Sequence, residues 1–232
     1  MNYWDWNAFF KFLFSKFLLQ GAWTTIWLTA ATIAIGLVLG LIAALFILSK
    51  NHVLKAIGKA YVFIWRGTPL LVQLIIIYTG LPQFGIRFTV IQSALISLGM
   101  NEGAYLAEII RAGIISVNIG QYEAAKALGM PFGKMMRLII LPQAARLIVP
   151  ELGNRINGML KFSTLASVIG VEELLRRSQM LIQAKFTVLE IYTIVAIYYL
   201  VMTTVWDQVQ NQIEKYYARG FLEVGTRTVK RP

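Results

Sequence analysis

Residues 22–48 read AWTTIWLTAATIAIGLVLGLIAALFIL, with no charged side chain among them. A surface helix of a soluble protein sets an apolar stripe against a charged face, and this run has no such face to turn to water. A helix needs about 20 apolar residues to cross roughly 30 Å of hydrocarbon, so the run is long enough to span a bilayer. Four more apolar stretches follow, at about 57–80, 88–110, 145–169 and 188–208, and 57% of the 232 residues are hydrophobic. The chain therefore reads as an all-α membrane protein with five transmembrane helices. The second stretch is interrupted at RGTPLL, where Gly67 and Pro69 should break or kink it. In the first, Gly36 and Gly40 permit close helix packing. The expected organisation is an N-terminal extracytoplasmic segment over 1–21, one membrane domain over 22–210 and a cytoplasmic tail over 211–232.

Charge sets the orientation. A formal net charge of +11 would suggest a nucleic-acid partner in a soluble protein, but beside spans of this length it reads as topology and attraction to anionic headgroups, with no nucleic acid. Setting aside Arg155 and Lys161, deep in the fourth span, Lys11, Lys16, Arg87, Arg176, Arg177 and Lys185 of the 22 Lys and Arg fall on one side. The other fourteen (22 − 2 − 6) fall on the opposite side. The positive-inside rule then puts the N-terminus outside and the C-terminus in the cytoplasm. The expected location is the cell inner membrane. The opening residues MNYWDWNAFF lack the basic start and small-residue cleavage site of a signal peptide. With no cysteine there is neither disulfide nor thiolate ligand, and the single His52 reads as a solvated loop residue.

One stretch does not fit the lipid pattern. GQYEAAKALGMPFGKMMRLIILPQA, residues 120–144, opens with strong helix formers, stops at Gly129 with Pro131 behind, and is too short and polar to span. It is the layout of a short rigid plug for a groove in a partner, or of an ordinary interfacial connector between two spans. Within it, Glu123, Ala124, Ala125, then Gly129 after three residues, Ile139 after nine more, and Leu141 and Pro142 after one, resemble the pattern of integral permease subunits of bacterial ABC importers. RGTPLLVQL at 66–74, AYLAEIIRAGI at 104–114, LPQAARLIVPELGN at 141–154 and SVIGVEELLRRSQ at 167–179 resemble the polar amino acid branch of that family. The resemblance covers about residues 20–215. It implies that the loop 119–142 carries a cytoplasmic coupling helix docked into an ATPase. It also implies partners: two cytoplasmic ABC ATPase subunits, a second permease subunit (identical or homologous) and an extracytoplasmic substrate-binding protein. ATP and Mg would be bound by the ATPase, with no cofactor in this chain and no enzymatic role of its own. GMPFGKM is one residue short of a phosphate-binding loop and ends in Met135 where a hydroxyl should stand. No metal-ligand spacing or nucleophile elbow occurs.

Charged and amide side chains inside spans are expensive and face a cavity or one another. Glu108 and Arg111, three apart, and Glu151 and Arg155, four apart, are expected to form structural ion pairs. The substrate candidates are Asn101 and Glu102 in the third span, with Asn154, Asn157, Lys161 and Thr164 in the fourth. An amino acid zwitterion needs a cation for its carboxylate, Lys161, and an anion for its ammonium, Glu102; alternatively these two neutralise each other. Where members of the family often have Lys-Asp-Thr-Ser-Leu, this chain reads KFSTL at 161–165, and Glu102 stands where a small or polar residue is more usual. The alternative function is an ion-coupled secondary transporter or channel that uses Glu102 and Lys161 as a relay and needs no docking plug.

Overall fold

The computed structural model describes residues 4–225, with side chains to residue 217. The described residues form helices and connections, with no strand among them. Helix α1, Trp6–Leu13, is capped by the Asp5 carboxylate, which accepts from the amides of Asn7 and Ala8. Helix α2, Lys16–Leu48, starts behind the Ser15 cap. The expected boundary between residues 21 and 22 therefore falls inside a helix, because the apolar run extends back through Phe17 and Leu18. Nor is the N-terminal segment separate from the membrane helices. The Asp5 amide donates to Glu190 at 2.7 Å, and the Tyr198 hydroxyl donates to the Leu13 carbonyl at 2.8 Å.

The interrupted stretch folds as α3, His52–Gly67, and α4, Leu70–Ile75, which runs on in tighter and wider turns to Phe84. The two halves meet at a bend of 102°. Proline has no N–H and disfavours helical backbone in the residue before it; Thr68 accordingly is extended, at φ −119° and ψ 147°. The carbonyls released by the break find side-chain donors. Trp65 accepts from the amides of Gln73 at 2.9 Å and Asn101 at 2.8 Å, and Gln73 also donates to the Thr68 carbonyl and hydroxyl.

Helix α5, Val90–Ile115, begins with a capping box between Thr89 and Gln92 and packs along α2. The two run in the same direction: Gly36 meets Gly103, and Gly40 meets Leu106 and Ala107. A Cβ on Gly40 would lie 2.8 Å from the Leu106 Cβ, so these glycines are what lets the backbones approach. After α5 come α6, Ile119–Ala127, and α7, Phe132–Met135. Helix α8, Leu141–Phe162, continues as tighter turns to Ile169, and is followed by α9, Leu174–Lys185, and α10, Val188–Gly225. The expected boundary at 210/211 thus lies within α10. Residues 1–3 and 226–232, the end of the expected tail, lie outside the described residues.

Helix α2 and residues 188–217 are long and apolar enough to cross a membrane, and the bent α3–α4 pair makes a third candidate. The helices α5 and α8, 26 and 22 residues long, match the expected third and fourth spans in position. They fall short on composition, not length, because both carry polar side chains, mostly buried on α5 and exposed or half-buried on α8.

Candidate functional site

Helix α6 is built by local signals. The Asn118 side chain caps its start, accepting from the Gly120 amide at 2.8 Å. At its end Gly129 adopts a left-handed φ of +69°, and the Gly129 and Met130 amides close on the Lys126 and Ala125 carbonyls at 2.9 and 3.0 Å. One side is anchored: Ala125 is buried with Ile114, Val117, Met135, Ile140 and Ala144, and the Tyr122 hydroxyl donates to the Ile114 carbonyl. Glu123 and Ala124 face outward. The two adjacent alanines thus divide, one into the chain's own core and one onto the exposed face. Leu128 and Phe132 are 80% and 70% exposed beside them, a pair of apolar side chains that the sequence reading did not single out although they flank Gly129. Leu141 is exposed, and Pro142 comes just behind the wider turn Met136–Ile140, a local departure from the regular helix close to a residue that has no N–H to donate.

The polar residues of the spans separate into two groups. Glu102 is fully buried and receives the Arg155 guanidinium on both oxygens, Nε to Oε1 at 2.9 Å and Nη2 to Oε2. Neither Glu151–Arg155 nor Glu102–Lys161 is an ion pair. Glu151 is exposed on α8, whereas Arg155 turns inward to a carboxylate that would otherwise be buried alone at a cost of several kcal/mol. The Glu108–Arg111 pair is present at 2.8 Å. The Arg155 and Arg66 guanidiniums lie 4.2 and 5.0 Å from the Tyr105 ring centre, cation–π contacts. With Thr68, Asn101 and Phe162 these residues line a cavity of about 540 Å³. Asn101 is committed to structure, donating to Trp65 and Gln73.

On the rest of α8, Glu151, Asn154 and Lys161 are exposed, while Gly153, Met159 and Leu160 are buried. Asn154 accepts from Gln210, Thr164 donates to the Lys161 carbonyl, and Asn157 donates to Asp207. Asn157, Lys161, Tyr199, Thr203 and Asp207 line a second cavity, of about 440 Å³. Asp207, Tyr105 and Arg66 were missed by the sequence reading. The signal for Asp207 was an acid inside an apolar run, hidden by its place beside Trp206, which reads as an interfacial anchor. Among the described residues no group of three His, Cys, Asp or Glu could hold a metal ion.

Residues 36–219 match the family described as the binding-protein-dependent transport system inner membrane component. The chain belongs to that family. It is 36% identical over 200 residues to the arginine transport system permease protein ArtQ of Bacillus subtilis, covering 86% of this chain and 91% of that one. Over 239 residues it is 37% identical to the arginine transport system permease protein ArgU of Corynebacterium glutamicum, covering 97% and 74%. Its fold superposes on a chain of an amino acid ABC transporter crystallised with histidines, with a TM-score of 0.86, 38% identity and 92% and 99% coverage. The chain is thus an ABC transporter permease, a membrane-embedded transport component.

Proposed function

We propose that this permease imports polar amino acids, driven by ATP that a separate pair of cytoplasmic ATPase subunits hydrolyses. A second permease subunit completes the pathway, and an extracytoplasmic binding protein delivers the substrate. The observation that carries the coupling is α6, a capped, anchored helix presenting Glu123 and Ala124 to the outside, with Leu128 and Phe132 exposed in the turn and the start of α7 behind it. An element that transmits closure has to be stiff and in contact with its partner. Within this reading α2, α3–α4, α5, α8 and α10 are five spans, the N-terminus lies outside and α6 faces the cytoplasm.

The substrate faces the exposed polar stripe of α8. Charges are not left against lipid, so Asn154, Asn157 and Lys161, with Asp207 opposite on α10, line a wet pathway covered by the second permease. Lys161 takes the carboxylate of the zwitterion and Asp207 replaces Glu102 as partner of the ammonium. The relay of an ion-coupled carrier loses support, since Glu102 is spent on Arg155. The test is uptake of glutamine, arginine, histidine, cystine and glutamate into vesicles holding the complex, for wild type, Lys161→Met and Asp207→Asn. Losing one charge-assisted contact of about 1.5–3 kcal/mol lowers kcat/KM by tenfold or more in each. Unchanged rates and apparent affinities for every substrate in both variants would remove these residues from the site.

A further inference from the structure

We infer that the basic vestibule between α2, α3 and α5 binds the phosphate of an anionic phospholipid headgroup. The vestibule, about 510 Å³, is lined by Ile47, Leu48, Lys55, Lys59, Glu108, Arg111 and Ile115. It opens where α2 ends at Leu48, α3 begins at His52 and α5 ends at Ile115. This is the end of the bundle from which α6 follows four residues on, hence the inner leaflet under the proposed orientation. Three cations face one acid there. Glu108 is already satisfied by Arg111, which leaves Lys55 and Lys59 as net positive charge, and neither forms an ion pair among the described residues. The lysines are four apart on one face of α3, and Glu108 holds the Arg111 fork across from them, so the three converge on one space. A phosphate diester matches that set.

The surroundings select a lipid over a free anion. Leu48 and Ile115, which line the vestibule, are themselves exposed, an apolar rim that acyl chains would cover and a soluble phosphate would leave wet. Basic pockets between membrane helices on the cytoplasmic side suit anionic headgroups, and each Lys or Arg near the surface adds about 1 kcal/mol of attraction.

The test is native mass spectrometry of the full chain released from a nonionic detergent. The probes are dioleoyl phosphatidylglycerol, dioleoyl phosphatidylcholine, and inorganic phosphate as competitor. Four proteins are compared: wild type, Lys55→Gln with Lys59→Gln, Lys55→Arg with Lys59→Arg, and the control Lys134→Gln with Arg137→Gln on another surface. Wild type, the arginine pair and the control should retain phosphatidylglycerol over phosphatidylcholine. In the glutamine pair occupancy should fall at least tenfold. Both lysines are exposed, and an unchanged helical circular dichroism spectrum shows that the fold is intact. Equal retention of the two lipids by wild type, or full retention by the glutamine pair, overturns the proposal. Displacement of the bound lipid by millimolar inorganic phosphate overturns the lipid as the source and assigns the site to a free anion.

Discussion

Glu102 has no exposed surface, and the donors it receives are those of Arg155. Removing one member of a buried pair strands the other at about 3–5 kcal/mol, whereas replacing both by apolar groups is often near neutral. Arg155→Met should therefore lower thermal stability sharply, and the double variant Glu102→Leu with Arg155→Met should regain most of the loss; a double variant as unstable as the single one would show that the pair is not the cause. The sequence revealed that an acid and a base sit in these spans but not their partnership. Spacing along one helix favours Glu151 for Arg155, while the actual contact joins residues 53 positions apart on two helices. Glu173 gives a pH-dependent case outside the spans. Burial raises its carboxyl above the usual range, against the lowering effect of the Leu175 and Arg176 amides that it accepts. A raised folded pKa means tighter proton binding in the folded state, so its contribution is fullest at low pH and is lost as pH rises. Because glutamine cannot ionise, the melting temperature of wild type minus that of Glu173→Gln should fall from pH 5 to pH 8; a rise in that difference contradicts the sign.

The elements most legible in the sequence are those made by local chemistry. The stiffness and end of α6 follow from the alanines and Gly129, and the break between α3 and α4 follows from Gly67 and Pro69; the Asn118 cap at the start of α6 emerged only in the structure. What fills the break was not legible, because the Gln73 and Asn101 amides reach it only through the fold. Asn101→Ala should accordingly lower stability by about 1–3 kcal/mol, the usual result of orphaning buried polar groups, without altering which substrates are recognised. Thermal unfolding and the substrate panel measure the two effects separately. At Gly40 a side chain would meet Leu106 and the Ala107 amide, so Gly40→Val should cost about 1–3 kcal/mol through overpacking of α2 on α5. A variant as stable as wild type would mean that the two helices separate at little cost.

At the level of the whole molecule, the apolar runs located the membrane helices but not their depth of burial. The helices α5 and α8 carry polar side chains, mostly buried on α5 and exposed or half-buried on α8, so hydropathy marks them less clearly than α2 and α10. The exposed polar stripe of α8 was likewise visible as Asn154, Asn157 and Lys161, while its partner Asp207 came from α10, 50 residues beyond Asn157. All of this structure acquires a direction only if α6 transmits force from an ATPase. The direct measurement is ATP hydrolysis and uptake by the complex reconstituted with its ATPase and binding protein, comparing wild type with Glu123→Arg. The account predicts substrate-stimulated hydrolysis and ATP-dependent uptake in wild type. It predicts that both collapse in Glu123→Arg, with membrane insertion unchanged. Uptake that proceeds without ATP on an ion gradient, or wild-type coupling in the Glu123→Arg variant, would contradict it.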